Sequence, residues 1–90
     1  MRLDVFLKTS RLIKRRTLAK EYCDEGLVLV GGAPAKAGRE VKEGDRIILD
    51  LPRRRLVAEV VAIPKGNVPK EQAVGLYRVL EDLTKKEELF

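Results

Sequence analysis

Seven cations fall within the first twenty residues, at Arg2, Lys8, Arg11, Lys14, Arg15, Arg16 and Lys20, against a single acid, Asp4. These side chains suit phosphate: guanidinium forks grip two oxygens at once, and ammonium groups act as point charges. Acid–base and metal chemistry lack their usual parts. The chain has no histidine, so the common general base and the commonest metal ligand are missing. Cys23 is the single cysteine, which excludes an internal disulfide and a multi-cysteine zinc site. No metal and no cofactor is expected. Asp24 and Glu25 beside Cys23 disfavour a thiolate, so that residue reads as a small buried hydrophobe.

The cations are segregated. Residues 1–20 carry seven bases and one acid, while the other seventy carry twelve bases and thirteen acids, so the whole net charge of +5 originates in the first quarter of the chain. A run of charge is ordinarily a solvated face, but here it is set against a helix dipole. Ser10 can cap a helix that runs to about Glu25, with Gly26 as its left-handed terminator. Arg11, Lys14, Arg15 and Arg16 then crowd the helix start, where the dipole is positive, and Asp24 and Glu25 close its negative end. Local rules broken without a structural gain mark functional sites. A phosphate at that helix start would meet free N–H groups, the dipole and arginine forks together. Arg16 and Lys20, four apart, share one surface, whereas Arg15 on a regular helix would point with Leu18 and Tyr22 toward the core.

Ninety residues leave room for one small domain, and 44% hydrophobic content supplies a modest core. The apolar runs are too short to span a bilayer and no signal-peptide core follows Met1, which leads to the expectation of a cytoplasmic protein. With four aromatics and no tryptophan, a base-stacking platform for single strands is not expected. Leu3, Val5, Phe6 and Leu7 predict a short first helix, with Asp4 near its start as a cap or as an orienter of arginine. Leu27–Val30 predicts a strand, Gly31-Gly32 a tight turn, Ala33–Ala37 a short edge strand limited by Pro34, and Gly44-Asp45 a second turn. Ile47–Leu51 and Leu56–Ile63 predict a hairpin whose tip, Pro52 to Arg55, carries Arg53, Arg54 and Arg55. Pro64, Gly66 and Pro69 mark a linker. Ala73, Leu76, Tyr77, Leu80 and Leu83 form one stripe that predicts a final helix from about Lys70 to Leu89.

Arg2-Leu3-Asp4, Leu7, Arg11, Arg16, Ala19, Gly26, Val28, Val30, Gly32, Lys36, Val41, Gly44-Asp45 and Ile47 together resemble the S-four RNA-binding domain, also called the alpha-L motif. The match covers about residues 1–50. Gly31 departs from it, since the family usually has asparagine before the glycine, and both residues permit the turn. Leu7 through Glu21 and Gly75 through Leu80 are further similar to the RqcP (YabO) family of bacterial ribosome-associated quality control. The resemblance implies an α+β fold, with two N-terminal helices packed on a small, strongly bent antiparallel sheet. The chain would divide into an RNA-binding domain over residues 1–63, then a linker and a C-terminal helix packed on it over 64–90. It also implies a factor that binds stalled large ribosomal subunits carrying peptidyl-tRNA, touches rRNA and tRNA, and assists RqcH in adding C-terminal alanine tails; an enzyme is not expected, and nothing in the sequence suggests more than a monomer. The residues implied to hold RNA are Arg2, Lys8, Arg11, Lys14, Arg15, Arg16, Lys20 and Lys36.

Three alternatives stay open at this level. One is a heat-shock-type recycling factor that binds the free large subunit independently of RqcH. Another is an RNA-modifying enzyme, disfavoured because the chain ends about forty residues after the binding module. The third is a protein-interaction module whose basic face meets an acidic partner.

Overall fold

The computed structural model describes residues 1–66 and 68–84. Helices α1 (Leu3–Thr9) and α2 (Arg16–Asp24) precede strands β1 (Val28–Val30), β2 (Ala33–Pro34), β3 (Arg46–Leu51) and β4 (Arg54–Val60). A single turn of helix, α3 (Lys70–Ala73), runs through a 3₁₀ turn at Val74–Leu76 into β5 (Tyr77–Thr84). The five strands form one antiparallel sheet in the order β2-β1-β3-β4-β5.

Alternation along the strands decides which face is covered. Val28, Leu49 and Leu56 lie opposite one another across three strands, as do Val30, Ile47 and Ala58 in the next row, and all six are buried. Against this face α1 presents Leu3, Phe6 and Leu7 at the i, i+3, i+4 spacing of a helical stripe, and α2 adds Ala19 and Cys23. Glycine appears where the backbone turns left-handed. Gly31 and Gly32, at φ 62° and 89°, make the β1–β2 turn, and Gly44, also at 89°, is the third residue of the turn that leads into β3.

Two expected helices differ from the structure. The helix predicted from Ser10 begins at Arg16, six residues later. Ser10 turns backward instead of capping forward: its hydroxyl donates to the Leu7 carbonyl at 3.3 Å, and its N–H to that of Phe6 at 2.8 Å, ending α1. Arg11 then takes φ 64°, the one non-glycine left-handed residue among those described, at a cost of order 1 kcal/mol. The reversal tucks Ile13 into the core, where its N–H reaches the Leu7 carbonyl at 3.1 Å. Residues 10–15 are thus a packed connector.

The C-terminal helix predicted over 70–89 is replaced by α3, the 3₁₀ turn and β5 as far as Thr84; its remainder lies outside the described residues. The first part of the apolar stripe is core, with Ala73 and Leu76 buried. The rest is not: Leu80 and Leu83 face solvent along an edge strand. What wins over helical periodicity is pairing with β4, whose free edge would otherwise expose its N–H and C=O groups. A double hydrogen bond from Arg54 to Asp82, at 2.9 and 2.8 Å, and an ion pair of Arg78 with Glu59 at 3.3 Å fasten the two strands. A register shift beside Val57 and Ala58 accommodates one extra residue in β5. The edge strand β2 is shorter than expected, ending at Pro34, and β4 ends at Val60 rather than Ile63.

The strand makes a measurable distinction. Leu83 is 52% exposed and Leu76 is 7% exposed. Leu83→Ala should therefore lower stability by less than about 1 kcal/mol, and Leu76→Ala by about 2–5 kcal/mol. Urea denaturation of the two variants reads the difference, and equal large losses would restore the helical stripe.

Candidate nucleic-acid interface

Asp4 lies in the first turn of α1 with its side chain 2% exposed, and two arginines from separate elements meet on it. Arg2 Nε donates to Oδ1 at 3.1 Å and Arg16 Nε donates to Oδ2 at 3.2 Å. The Val5 N–H also donates to Oδ1, at 2.9 Å. Burial alone would raise the Asp4 carboxyl. Hydrogen bonds from Arg16, Arg2 and the Val5 N–H, together with the charge on Arg2, outweigh it and hold the carboxyl below the ordinary aspartate value. The two guanidinium groups stay half in solvent, with side chains 50% and 56% exposed. One buried negative charge therefore orients two positive ones and leaves a surplus of one facing outward.

The two helix starts are treated differently. At α1 the Leu3 N–H donates to the Arg39 carbonyl at 2.8 Å and the Asp4 N–H to Ala37 at 3.1 Å, so its first turn is consumed internally. At α2 the N-cap Arg15 is extended and no side chain caps the helix. Among the described residues, no acceptor meets the N–H groups of Arg16, Thr17 or Leu18. No acid stands in that turn either. The reversed charge pattern thus survives the shorter helix, though only Arg15 and Arg16 belong to its start; Arg11 and Lys14 sit in the connector. Arg15 also avoids the core, because a residue outside the helix does not follow its stripe.

All eight cations singled out in the sequence line a chain of adjoining surface depressions. Arg2, Arg16 and Lys20 border one of about 340 Å³ together with Asp4 and Thr17. Arg2 and Lys20 are shared with a wider one that Lys36 enters from the loop after β2. Thr17 leads on to a third, lined by Lys14 and Arg15, and Lys14 to a fourth with Lys8 and Arg11. Thr17 and Val68 were not singled out in the sequence. The signal for Thr17 was its place between Arg16 and Lys20 on one helix; for Val68, in the linker, there was none.

The hairpin arginines belong elsewhere. Arg54 is held by Asp82, and Arg55 lies 3.9 Å from Asp50. Cys23 is buried, and desolvation, with the charges of Asp4 and Asp24, pushes its thiol up to about 11. No group of three or more candidate metal ligands occurs among the described residues.

Residues 1–47 match the family model of the S4 domain. Over 82 residues the chain is 51% identical to a Halalkalibacterium halodurans protein named RQC P-site tRNA stabilizing factor, covering 91% of this chain and 92% of that one. A Bacillus subtilis protein of the same name is 44% identical, covering 91% of this chain and 94% of its own. Among solved structures, the trimeric heat shock protein 15 of Vibrio cholerae superposes with a TM-score of 0.79 at 29% identity, covering 88% of this chain and 80% of that one. The solution structure of a hypothetical protein superposes with a TM-score of 0.72 at 38% identity, covering 98% and 100% respectively.

The carboxylate at the centre of this surface is testable by pH. Because folded Asp4 holds its proton more weakly than the unfolded chain does, its contribution is complete above about pH 4 and is lost as pH falls through the folded value. Asp4→Asn should cost about 1–2 kcal/mol at pH 7, with the gap from the parent protein closing in more acidic solution. Denaturation series at several pH values check this; a gap that persists in acid would place the effect in packing rather than charge.

Proposed function

We propose, because the chain belongs to the S4 domain family and within it to the RQC P-site tRNA stabilizing factors, that it is a cytoplasmic, monomeric RNA-binding factor of ribosome quality control. In this reading it associates with large ribosomal subunits that carry peptidyl-tRNA, contacts rRNA and tRNA, and supports RqcH-dependent alanine tailing of the stalled chain. Its role is to hold RNA in place, without catalysis. The S4 domain and the name its relatives carry both speak for this.

The observation that carries the reading is the Arg2–Asp4–Arg16 centre, a pair of arginine forks pre-oriented on a buried carboxylate beside the open N–H groups of α2. Side-chain entropy that would be lost on gripping a phosphate is already partly spent in folding. Folded RNA hides its base edges in a deep, narrow groove, so recognition of this kind runs through phosphates and 2′-hydroxyls. Arg2 and Arg16 take the central phosphates. Arg11, Arg15 and Lys20 flank them, and Lys8, Lys14 and Lys36 complete the rim.

The likeness to heat shock protein 15 favours one second reading, a recycling factor that binds the large subunit without RqcH. Recruitment to stalled subunits in cells with and without RqcH separates the two, and loss of alanine tailing on deletion of this protein supports the first.

Five or six phosphate contacts predict a log–log dependence of affinity on salt with a slope of about −4. Arg16→Ala should weaken co-sedimentation with purified large subunits by about ten- to a hundredfold while leaving the circular dichroism spectrum intact. Affinity that ignores salt, or an Arg16→Ala protein that binds as tightly as the parent, would overturn the reading.

A further inference from the structure

Among the described residues, Arg11 occupies the one left-handed position that is not given to glycine. Four glycines, Gly26, Gly31, Gly32 and Gly44, take the other positive φ values among the described residues. The comparison with Gly26 is close. That residue ends α2, donating its N–H to the Cys23 carbonyl at 3.0 Å, and Arg11 ends α1 in the same way, donating to Lys8 at 3.0 Å. Both stand at the position after a helix C-cap, where glycine is strongly preferred. The reversal itself is needed by the fold, since it returns Ile13 to the core. An arginine side chain is not needed for it.

The side chain has a destination. Arg11 lines a cleft of about 290 Å³ with Lys8, Thr9, Lys14 and Val68. Lys8 lies in the last turn of α1, and the turn at Arg11 folds the connector back so that Lys14 reaches the same cleft. No acid borders it, and none of the three cations has an ion pair or side-chain hydrogen bond among the described residues. This differs from the Arg2–Asp4–Arg16 centre, where a carboxylate offsets the charge. Backbone strain and uncompensated like charge thus coincide at one point, and neither contributes to folding.

We infer that Lys8, Arg11 and Lys14 form a second phosphate subsite, for a phosphodiester of the RNA backbone, and that Arg11 keeps a strained conformation to supply its guanidinium there. The inference rests on the RNA-binding reading above. It adds that the surface grips RNA at two points of different construction: one rigid and carboxylate-braced, the other a bare cluster that a phosphate itself neutralises.

The test compares Arg11→Gly, Arg11→Lys and Arg16→Ala with the parent, by thermal melting and by binding to purified large subunits over a salt series. Arg11→Gly should melt several degrees higher, because glycine relieves the left-handed strain. It should also bind about tenfold more weakly, with a salt slope shallower by about 0.7–0.9. Arg11→Lys should keep the slope and most of the affinity. Parent-like binding and slope in Arg11→Gly, alongside weakened Arg16→Ala, would overturn the subsite and leave the RNA-binding reading standing. A lower melting temperature in Arg11→Gly would also overturn it, since the arginine would then be structural. Unchanged, salt-insensitive binding in all three variants would instead sink the RNA-binding reading.

Discussion

A single ionised carboxylate, sealed from water, is the condition on which the cationic surface depends. Two arginines drawn from different elements repel one another and, without a common partner, would spread into solvent. Asp4 removes that freedom. It lies in the first turn of α1, its own N–H is tied to Ala37, and both its oxygens are spoken for. Through it the residue before α1 and the first residue of α2 are held to one spot, so the relation between the two helices and the relation between the two guanidinium groups are the same geometric fact. Such an arrangement is weak evidence for stability, since the carboxylate must first be desolvated. It fits better as a device for placing charge.

Electrostatic asymmetry follows from where acids are allowed. On β4 and β5, arginines have partners: Arg54 with Asp82, Arg55 with Asp50, Arg78 with Glu59. Residues 1–20 carry seven bases and one acid, and the next acids, Glu21 and Asp24, lie at the far end of α2 from the arginine centre. The net positive charge is thus concentrated in the N-terminal segment while the remainder of the chain is nearly neutral, which orients the molecule in the field of a polyanion before contact.

Much of this was legible in the residues. Glycines at 26, 31, 32 and 44 marked reversals that no other residue makes cheaply, and the i, i+3, i+4 spacing of Leu3, Phe6 and Leu7 identified the buried stripe of α1. Asp4 read as a cap or as an orienter of arginine, and its oxygens accept from Arg2, Arg16 and the Val5 N–H. Two regions were illegible for different reasons. Ser10 is equally able to cap the helix ahead or bond the carbonyls behind, and only the burial of Ile13 settles the choice, a tertiary fact with no local trace. The stretch from Ala73 to Leu83 satisfies helical spacing on its own, and its conversion to strand depends on a vacant edge supplied by residues about twenty positions earlier. Thr17 and Val68 joined the surface through proximity that spacing does not encode.

The lone thiol offers an experimental handle of another kind. Cys23 is packed between α2 and the sheet, and both desolvation and neighbouring acids suppress its thiolate. Alkylating reagents attack only the ionised, accessible form, so iodoacetamide will modify this chain in proportion to the fraction of time α2 is lifted away, and more slowly than it modifies a free cysteine. The sequence therefore contains its own reporter of opening, readable by mass spectrometry at a native residue and sensitive to whatever clamps the two helices together.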